Sequence, residues 1–460
     1  MVCRLSRVLN ARRKGLALIP APLALAMLAL PALSASATTP PTAETLRHTG
    51  TAKDAHGRCP RFAFWGRGSR RLVRHRRGAV RASRIAACAV ASAAAVALSA
   101  AGPALASGWS IQSTPNPAGA TRSYLTGVSC TAATATVCTA AGYSLGSPPY
   151  APLAEGWTSS TNTWSIQTTP NQGLGVVLSG VSCTLAPSCT AVGQHLISIP
   201  WPGHKPPFRL EWSTAAEQWH GTAWSIQTPA NSSYSFNALY GVSCTAATAC
   251  TAVGQTSSVT LAERWIGSTW SFQTTSGAGA GVSCPTATAC TAVGQGNNAP
   301  LAERWDSTTN TWSIQTTPIT AVGASLSGVS CTAATSCTAV GQSANQTLVE
   351  RWNGTIWAIQ PTPNPAGSTS SVLSGVSCKG TSCIAVGNYV NASKVQLTLG
   401  EHWNASTNTW SIQTTPKPSG ATSSLLSGVS CTTAIACTAV GDYINASGTG
   451  VTLAESYTTG

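Results

Sequence analysis

A glutamate recurs seven times along the chain, each time two residues before an aromatic side chain. Seven carboxylates arranged in a ring could bind a metal ion or supply acid–base catalysis. A residue that returns in every repeat more readily meets a need of every repeat. We therefore interpret these side chains as acceptors of backbone or indole N–H groups within a sheet. The seven are Glu155, Glu217, Glu263, Glu303, Glu350, Glu401 and Glu455.

The segment from His195 to Trp212 is the largest interruption of the repeat and carries the residues best suited to contact a ligand. An exposed aromatic ring can stack on a pyranose face or a proline, while nearby polar groups donate hydrogen bonds. The alternative is that this proline-rich loop packs its own aromatics on the rim. His195 and His204 have no third ligand nearby, so we predict no metal site and no cofactor. The predicted ligand-binding residues are Trp201, Trp212, His204, Lys205, Arg209, Tyr150, Tyr389 and Tyr443.

Cysteines in the repeat region fall into close pairs with none left over. An even count without an orphan is typical of disulfides formed outside the reducing cytoplasm. Zinc is the alternative, but the gaps between partners are longer than in a typical zinc knuckle. The predicted disulfides are Cys130–Cys138, Cys183–Cys189, Cys244–Cys250, Cys284–Cys290, Cys331–Cys337, Cys378–Cys383 and Cys431–Cys437.

Four short blocks recur in fixed order with a period of about 51 residues. These blocks predict the strands that position the glutamates, the cysteines and the ligand-binding candidates. The blocks resemble Leu261–Trp265, Trp270–Gln273, Gly281–Cys284 and Cys290–Gly294. Each is rich in β-branched or aromatic residues and bounded by turn formers, which is typical of strands. We predict an all-β, seven-bladed β-propeller with four strands and one hairpin disulfide per blade.

The two ends of the repeat region are complementary. Its N-terminus begins with a second block at Trp109, whereas its C-terminus ends with a first block, Leu453–Tyr457. Pairing these two strands completes the last blade and removes two exposed strand edges. We therefore predict that the N- and C-terminal strands close the ring.

These segments resemble kelch-type propellers. The stretch Glu303–Trp312 is similar to the kelch segment in which an aromatic and an aspartate lead through a Thr-Asn turn to a tryptophan strand. Cys337–Gly341 is similar to the apolar strand before the kelch glycines. The resemblance implies the propeller fold.

The sequence lacks the key residues of the enzyme classes that are found on such scaffolds. A kelch-like copper oxidase needs a free cysteine, and every cysteine of the repeat region has a close partner. A sialidase needs three converging arginines, whereas Arg264, Arg304 and Arg351 occupy equivalent positions of separate repeats. No Ser/His/Asp spacing or phosphate loop is evident. We assign no catalytic residue, although Glu211 or Asp442 could serve a polysaccharide hydrolase or lyase.

Residues 1–106 are strongly basic and contain two segments built like secretory signals. We predict that residues 1–106 are a leader that is cleaved after Ala106. We also predict that the true translation start lies downstream of Met1, so that the upstream part of the leader is mis-assigned. The alternative is an uncleaved membrane anchor at 85–101. Residues 107–460, the predicted propeller, carry nine basic and ten acidic residues, a net charge of −1. This balance argues against nucleic acid as a partner.

Function in a repeated scaffold is expected where the symmetry breaks. The longest connections from block four to block one are predicted at 143–152, 194–215, 388–398 and 442–452, in repeats that become neighbours once the ring closes. We predict a secreted, monomeric binding module, free or held at the cell surface, without a transmembrane segment in its mature form. Its partner is a glycan, a cell-wall polymer or an extracellular protein. A hydrolase or lyase on the same scaffold and a purely structural surface protein are the alternatives.

Overall fold

The computed structural model describes residues 108–459 except 133–135, 147, 185–187, 231, 233, 258, 274, 276, 278 and 319. The predicted leader at 1–106, its cleavage site and the alternative membrane anchor lie outside the described residues. Among the described residues there is no helix with the length and apolar character that crossing a membrane requires.

The described residues form 28 β-strands and no helix, as the all-β prediction expects. Their bounds are β1 Gly108–Gln112, β2 Arg122–Ala132, β3 Thr136–Leu145, β4 Ala151–Thr158, β5 Thr163–Gln167, β6 Val176–Cys183, β7 Cys189–Pro200, β8 Phe208–Trp219, β9 Trp224–Gln227, β10 Asn237–Ala246, β11 Ala249–Thr256, β12 Thr260–Ile266, β13 Thr269–Gln273, β14 Gly279–Thr286, β15 Ala289–Gly296, β16 Ala299–Asp306, β17 Thr311–Gln315, β18 Ser325–Ala333, β19 Ser336–Ser343, β20 Gln346–Trp352, β21 Trp357–Gln360, β22 Ser370–Lys379, β23 Ser382–Val390, β24 Gln396–Asn404, β25 Thr409–Gln413, β26 Ser423–Thr433, β27 Ala436–Ile444 and β28 Gly450–Thr458.

The strands pair as four-stranded antiparallel meanders, the repeating sheets of a β-propeller. We number these blades in chain order, so that blade 1 is β2–β5, blade 2 is β6–β9 and blade 6 is β22–β25. Blade 7 combines β26–β28 with β1, whose Trp109 lies opposite Tyr457 of β28. The terminal strands therefore pair as their complementary blocks predict. A parallel bridge between Arg122 and Gly450 links blades 7 and 1 into one eight-stranded sheet.

Within each blade the hairpin between the first two strands carries the disulfide. The seven predicted bonds are all present, with Cα atoms 3.9 to 4.1 Å apart. In blade 3, Cys244 lies opposite Cys250, Cys250 opposite Trp265 and Trp265 opposite Trp270. This row crosses one face of the sheet and packs against Val192 and other residues of the preceding blade, so the core lies between neighbouring blades.

The first strands of successive blades contact one another in a cycle. In each blade the backbone N–H of the first hairpin cysteine donates to a serine Oγ of the preceding blade at 2.9 to 3.0 Å. The pairs are Cys183–Ser129, Cys244–Ser182, Cys284–Ser243, Cys331–Ser283, Cys378–Ser330, Cys431–Ser377 and Cys130–Ser430. The last pair returns from blade 7 to blade 1.

A glycine in each first strand makes this close approach possible. A Cβ at Gly241 would lie 3.2 Å from the Ala280 carbonyl oxygen, the Gly281 Cα and the Val282 nitrogen of the next blade. That spacing is too tight for an ordinary side chain beside backbone atoms. The Gly-Val-Ser block therefore carries both the close contact and the hydrogen bond between blades.

One predicted feature is different in the structure. The long connection predicted at 194–215 is mostly strand, because β7 and β8 remain paired from Cys189–Trp219 as far as Pro200–Phe208. The β-branched residues Ile197 and Ile199, two positions apart, favour strand over loop. The hairpin therefore projects beyond its blade, with the connection reduced to residues 201–207.

Candidate functional site

The seven recurrent glutamates lie on the third strand of every blade and do not converge on a common centre. Their side chains are at most 3% exposed. Burial raises the pKa of five of them to about 8 and that of Glu350 to about 7, because a carboxylate loses its hydration inside the protein. The five are Glu155, Glu217, Glu263, Glu401 and Glu455. The five carboxyls with a pKa of about 8 are therefore mostly neutral at pH 7, whereas that of Glu350 is about half ionised.

The bonds of these carboxyls differ from the sequence interpretation. Glu263 accepts the Ala230 backbone N–H at 2.9 Å, but neither oxygen of Glu217 has a hydrogen-bond partner among the described residues. Six indoles of the outer strands donate instead to a glutamine of the preceding blade, as Trp270 Nε1 does to Gln227 Oε1 at 3.1 Å, whereas Trp109 Nε1 has no partner among the described residues. Of the two donors that the sequence interpretation named, a backbone N–H is found at Glu263, whereas the outer-strand indoles use the Gln of the Trp-Ser-Ile-Gln block.

The tip of the β7–β8 hairpin brings together four of the eight predicted ligand-binding residues. The His204 imidazole stacks on the Trp201 indole, with ring centres 3.7 Å apart. The guanidinium carbon of Arg209 lies 6.0 Å from the centre of the same indole. Trp201 is 43% exposed and Lys205 is also exposed. We call Trp201, His204, Lys205 and Arg209 the tip cluster.

An ion pair fixes the guanidinium of the tip cluster. Arg209 Nε lies 2.7 Å from Glu211 Oε1, and the two residues are on the same strand and the same side of the hairpin. The Arg209 side chain remains 49% exposed, so its guanidinium nitrogens can donate to another group. Glu211 is thus a partner of the cluster's arginine.

A second aromatic group lies at the base of the hairpin. Trp212 packs edge-on against Tyr150 at 5.5 Å, Tyr150 lies 6.4 Å from Tyr143, and Tyr143 stacks on Tyr124 at 4.8 Å. The row runs from blade 2 to the first strand of blade 1. We predicted Trp212 and Tyr150 from the sequence but not the two buried tyrosines, which sit in core positions of their strands. The available signal was Tyr143 replacing the glutamine that follows Gly in most repeats.

Two predicted tyrosines lie apart from both clusters. Tyr389 packs against the buried core that includes Leu373, and Tyr443 against the one that includes Leu426. Both are in strands, opposite Leu397 and Val451 respectively. The structure does not bring them together with the tip cluster.

Asp442 is a buried carboxyl at the blade 7 side of the same sector. It is 6% exposed, and burial raises its pKa to about 7 against the opposing effect of Arg122. Tyr143 is close enough for the two groups to interact, and burial raises the pKa of its hydroxyl. Asp442 occupies the strand position that holds glutamine in four other repeats.

The two histidines considered as metal ligands have separate partners. His195 Nδ1 lies 3.0 Å from the Thr214 carbonyl oxygen, and burial lowers the pKa of its imidazole. His204 belongs to the tip cluster. Within the part of the chain that the structure describes, no three His, Cys, Asp or Glu side chains are grouped as metal ligands.

Comparison with known proteins gives structural likenesses only. No family model matches the chain, and no curated protein matches it. The structure is similar to YCF48 from Cyanidioschyzon merolae, with 12% identity and a TM-score of 0.47 over 76% of this chain and 99% of that one. It is similar to the GH74 xyloglucanase from Xanthomonas campestris, with 9% identity and a TM-score of 0.49 over 75% of this chain and 55% of that one. YCF48 bound to D1 peptide aligns with 11% identity and a TM-score of 0.45 over 77% and 96% of the two chains. These identities are too low to imply a shared function, and the kelch resemblance stays one of short segments.

Proposed function

We propose that this protein is an exported, closed seven-bladed propeller that binds a glycan or cell-wall polymer through its tip cluster. The disulfides and the cyclic Cys–Ser bonds support an extracellular, closed scaffold. The observation that carries the binding proposal is the exposed Trp201 indole, flanked by the His204 ring and the Arg209 fork on a hairpin that projects from its blade. Such an indole offers apolar contact to a sugar ring beside donors for its hydroxyls.

The test is binding of the secreted protein to immobilised glycans and peptidoglycan, measured for parent and variants. Trp201→Ala should weaken binding at least about tenfold, a loss of about 1.4 kcal/mol. Phe272→Ala removes an equally exposed aromatic ring from an outer strand and should leave binding unchanged. Replacing residues 201–207 by Asn-Gly, which closes a two-residue hairpin, should abolish binding.

If the variant that lacks residues 201–207 still binds the polymer, the tip cluster is not the binding site. If no polymer binds the parent, a protein partner or a structural role at the cell surface replaces the glycan proposal.

A second candidate is a polysaccharide hydrolase or lyase that uses Asp442. Its raised pKa, about 7, would allow a carboxylic acid to donate a proton near neutral pH, and Tyr143 lies beside it. Release of reducing ends from a polysaccharide panel, lost in Asp442→Asn, would support catalysis. No release by the parent would leave binding alone.

A further inference from the structure

The formal net charge of the repeat region differs from the charge on the surface that a partner would contact. Of its ten acidic residues, the seven recurrent glutamates are buried between blades. Among the described residues with exposed side chains, five are cationic and one, Asp306, is acidic. The five are Lys205, Arg209, Lys379, Lys394 and Lys417. The accessible surface is therefore basic although the sequence balance is −1, which reverses the sequence argument against a polyanionic partner.

Two of those five cations are in the tip cluster, four residues apart. Arg209 is paired with Glu211, whereas Lys205 has no ion pair with any described residue. No other carboxylate lies on the hairpin from residue 195 to residue 212. A ligand beside Trp201 would therefore meet the exposed Lys205 ammonium and the exposed guanidinium of Arg209.

The guanidinium of Arg209 is suited to bind an oxyanion. A guanidinium presents its N–H donors in a plane that matches the oxygens of a carboxylate or a phosphate, and the side chain of Arg209 is 49% exposed. The ion pair with Glu211 limits the side-chain freedom that would otherwise be lost on binding. A neutral sugar hydroxyl can accept one hydrogen bond from the guanidinium, but it does not match the planar pair of donors and gains little from the charge of Lys205.

We infer that the tip cluster selects an acidic glycan, one that carries carboxylate or phosphate groups, over a neutral glycan of the same backbone. This inference rests on the proposed function. The aromatic ring supplies contact that both polymers share, and the two cations supply the preference.

The experiment compares two polymers that differ only in charge. The secreted protein is titrated at low ionic strength with polygalacturonate and with its methyl ester, and a polyglycerol phosphate tests the phosphate source separately. We expect the parent to bind an acidic polymer at least about tenfold tighter than the ester, about 1.4 kcal/mol, and to lose this preference as salt is added.

Variants separate the cluster from the general basic surface. Lys205→Gln leaves the Arg209–Glu211 pair intact and should weaken binding of the acidic polymer more than binding of the ester. Lys417→Gln removes another exposed cation, in the connection between β25 and β26, and should change neither. Trp201→Ala should weaken binding of both polymers.

Each contrary result has a distinct meaning. Equal affinity for polygalacturonate and its ester would overturn the inference while leaving the glycan-binding proposal standing, whereas no binding of any polymer would overturn both. If Lys417→Gln reduces the preference as much as Lys205→Gln, or if a DNA oligonucleotide binds as tightly as polygalacturonate, the charge effect is diffuse and the selective site is refuted.

Discussion

The buried glutamates predict that the fold loses stability as pH rises from the acidic range. Glu217 is the clearest case, because its side chain is 0% exposed and burial alone raises its pKa to about 8. In the folded chain it binds a proton up to that pH, while the unfolded chain releases the proton near the ordinary value of 4.5. The folded state therefore binds more protons between these values, and the free energy of unfolding falls as pH rises through that window.

The perturbation is Glu217→Gln, which keeps the shape of the neutral acid and removes its titration. A difference between pKa values of 4.5 and about 8 corresponds to about 5 kcal/mol across the whole window, at about 1.4 kcal/mol per pH unit. The variant should match the parent near pH 4 and become progressively more stable than it towards pH 8. Five other recurrent glutamates retain the effect, so the variant still loses stability with pH, but less steeply.

The measurement is urea unfolding followed by tryptophan fluorescence at several pH values between 4 and 8, with disulfides intact. Asp306→Asn is the matched control. Its carboxyl is exposed and its pKa is lowered by hydrogen bonds from Thr308, so it titrates below this range and its loss should not change the slope. Parallel pH profiles of the parent and Glu217→Gln would refute the reasoning.

Three further predictions concern the repeated contacts. Cys244→Ser with Cys250→Ser opens a hairpin loop of about seven residues and should lower the free energy of unfolding by about 2 kcal/mol, measured by urea unfolding. Gly254→Ala would place a Cβ 1.9 Å from the Ala238 carbonyl oxygen and should lower the free energy of unfolding by more than about 3 kcal/mol or prevent secretion. The control is Gly296→Ala, which should be mild because its Cβ meets only Leu301 side-chain carbons, from 3.4 Å. Equal yields and melting temperatures of the two variants would contradict this. Trp270→Phe removes the indole bond to Gln227 across two blades and should cost about 1 kcal/mol; an unchanged midpoint would mean that this bond contributes nothing net.

The repeat order predicted much of the scaffold. Blocks of four to six residues identified the strands, and the surplus block at Leu453–Tyr457 predicted the pairing of β28 with Trp109 of β1. The cysteine spacing predicted every hairpin disulfide. These features follow from local sequence and from the requirement that strand edges be paired.

The environment of a repeated residue was harder to predict. The spacing of Glu263 revealed that every blade needs this residue, but a repeat pattern carries no information on whether a carboxyl is ionised or which N–H it accepts. The glutamine of the Trp-Ser-Ile-Gln block, at Gln227 for example, proved to be the indole acceptor because it faces the next blade's tryptophan. Tyr124 and Tyr143 were missed because an aromatic in a strand is usually core, and only the fold brings them into a row with Tyr150.

Burial also connects the scaffold to the proposed ligand preference. A chain that places one carboxyl in every blade interior removes acidic charge from its surface without removing it from its sequence. Few exposed acidic groups therefore remain to offset the positive charges of Lys205 and Arg209. If the recurrent glutamates lay on the surface, seven carboxylates would offset these cations and weaken any attraction to an acidic glycan. The pH profile of Glu217→Gln and the charge preference of the tip cluster therefore test two consequences of the same buried position.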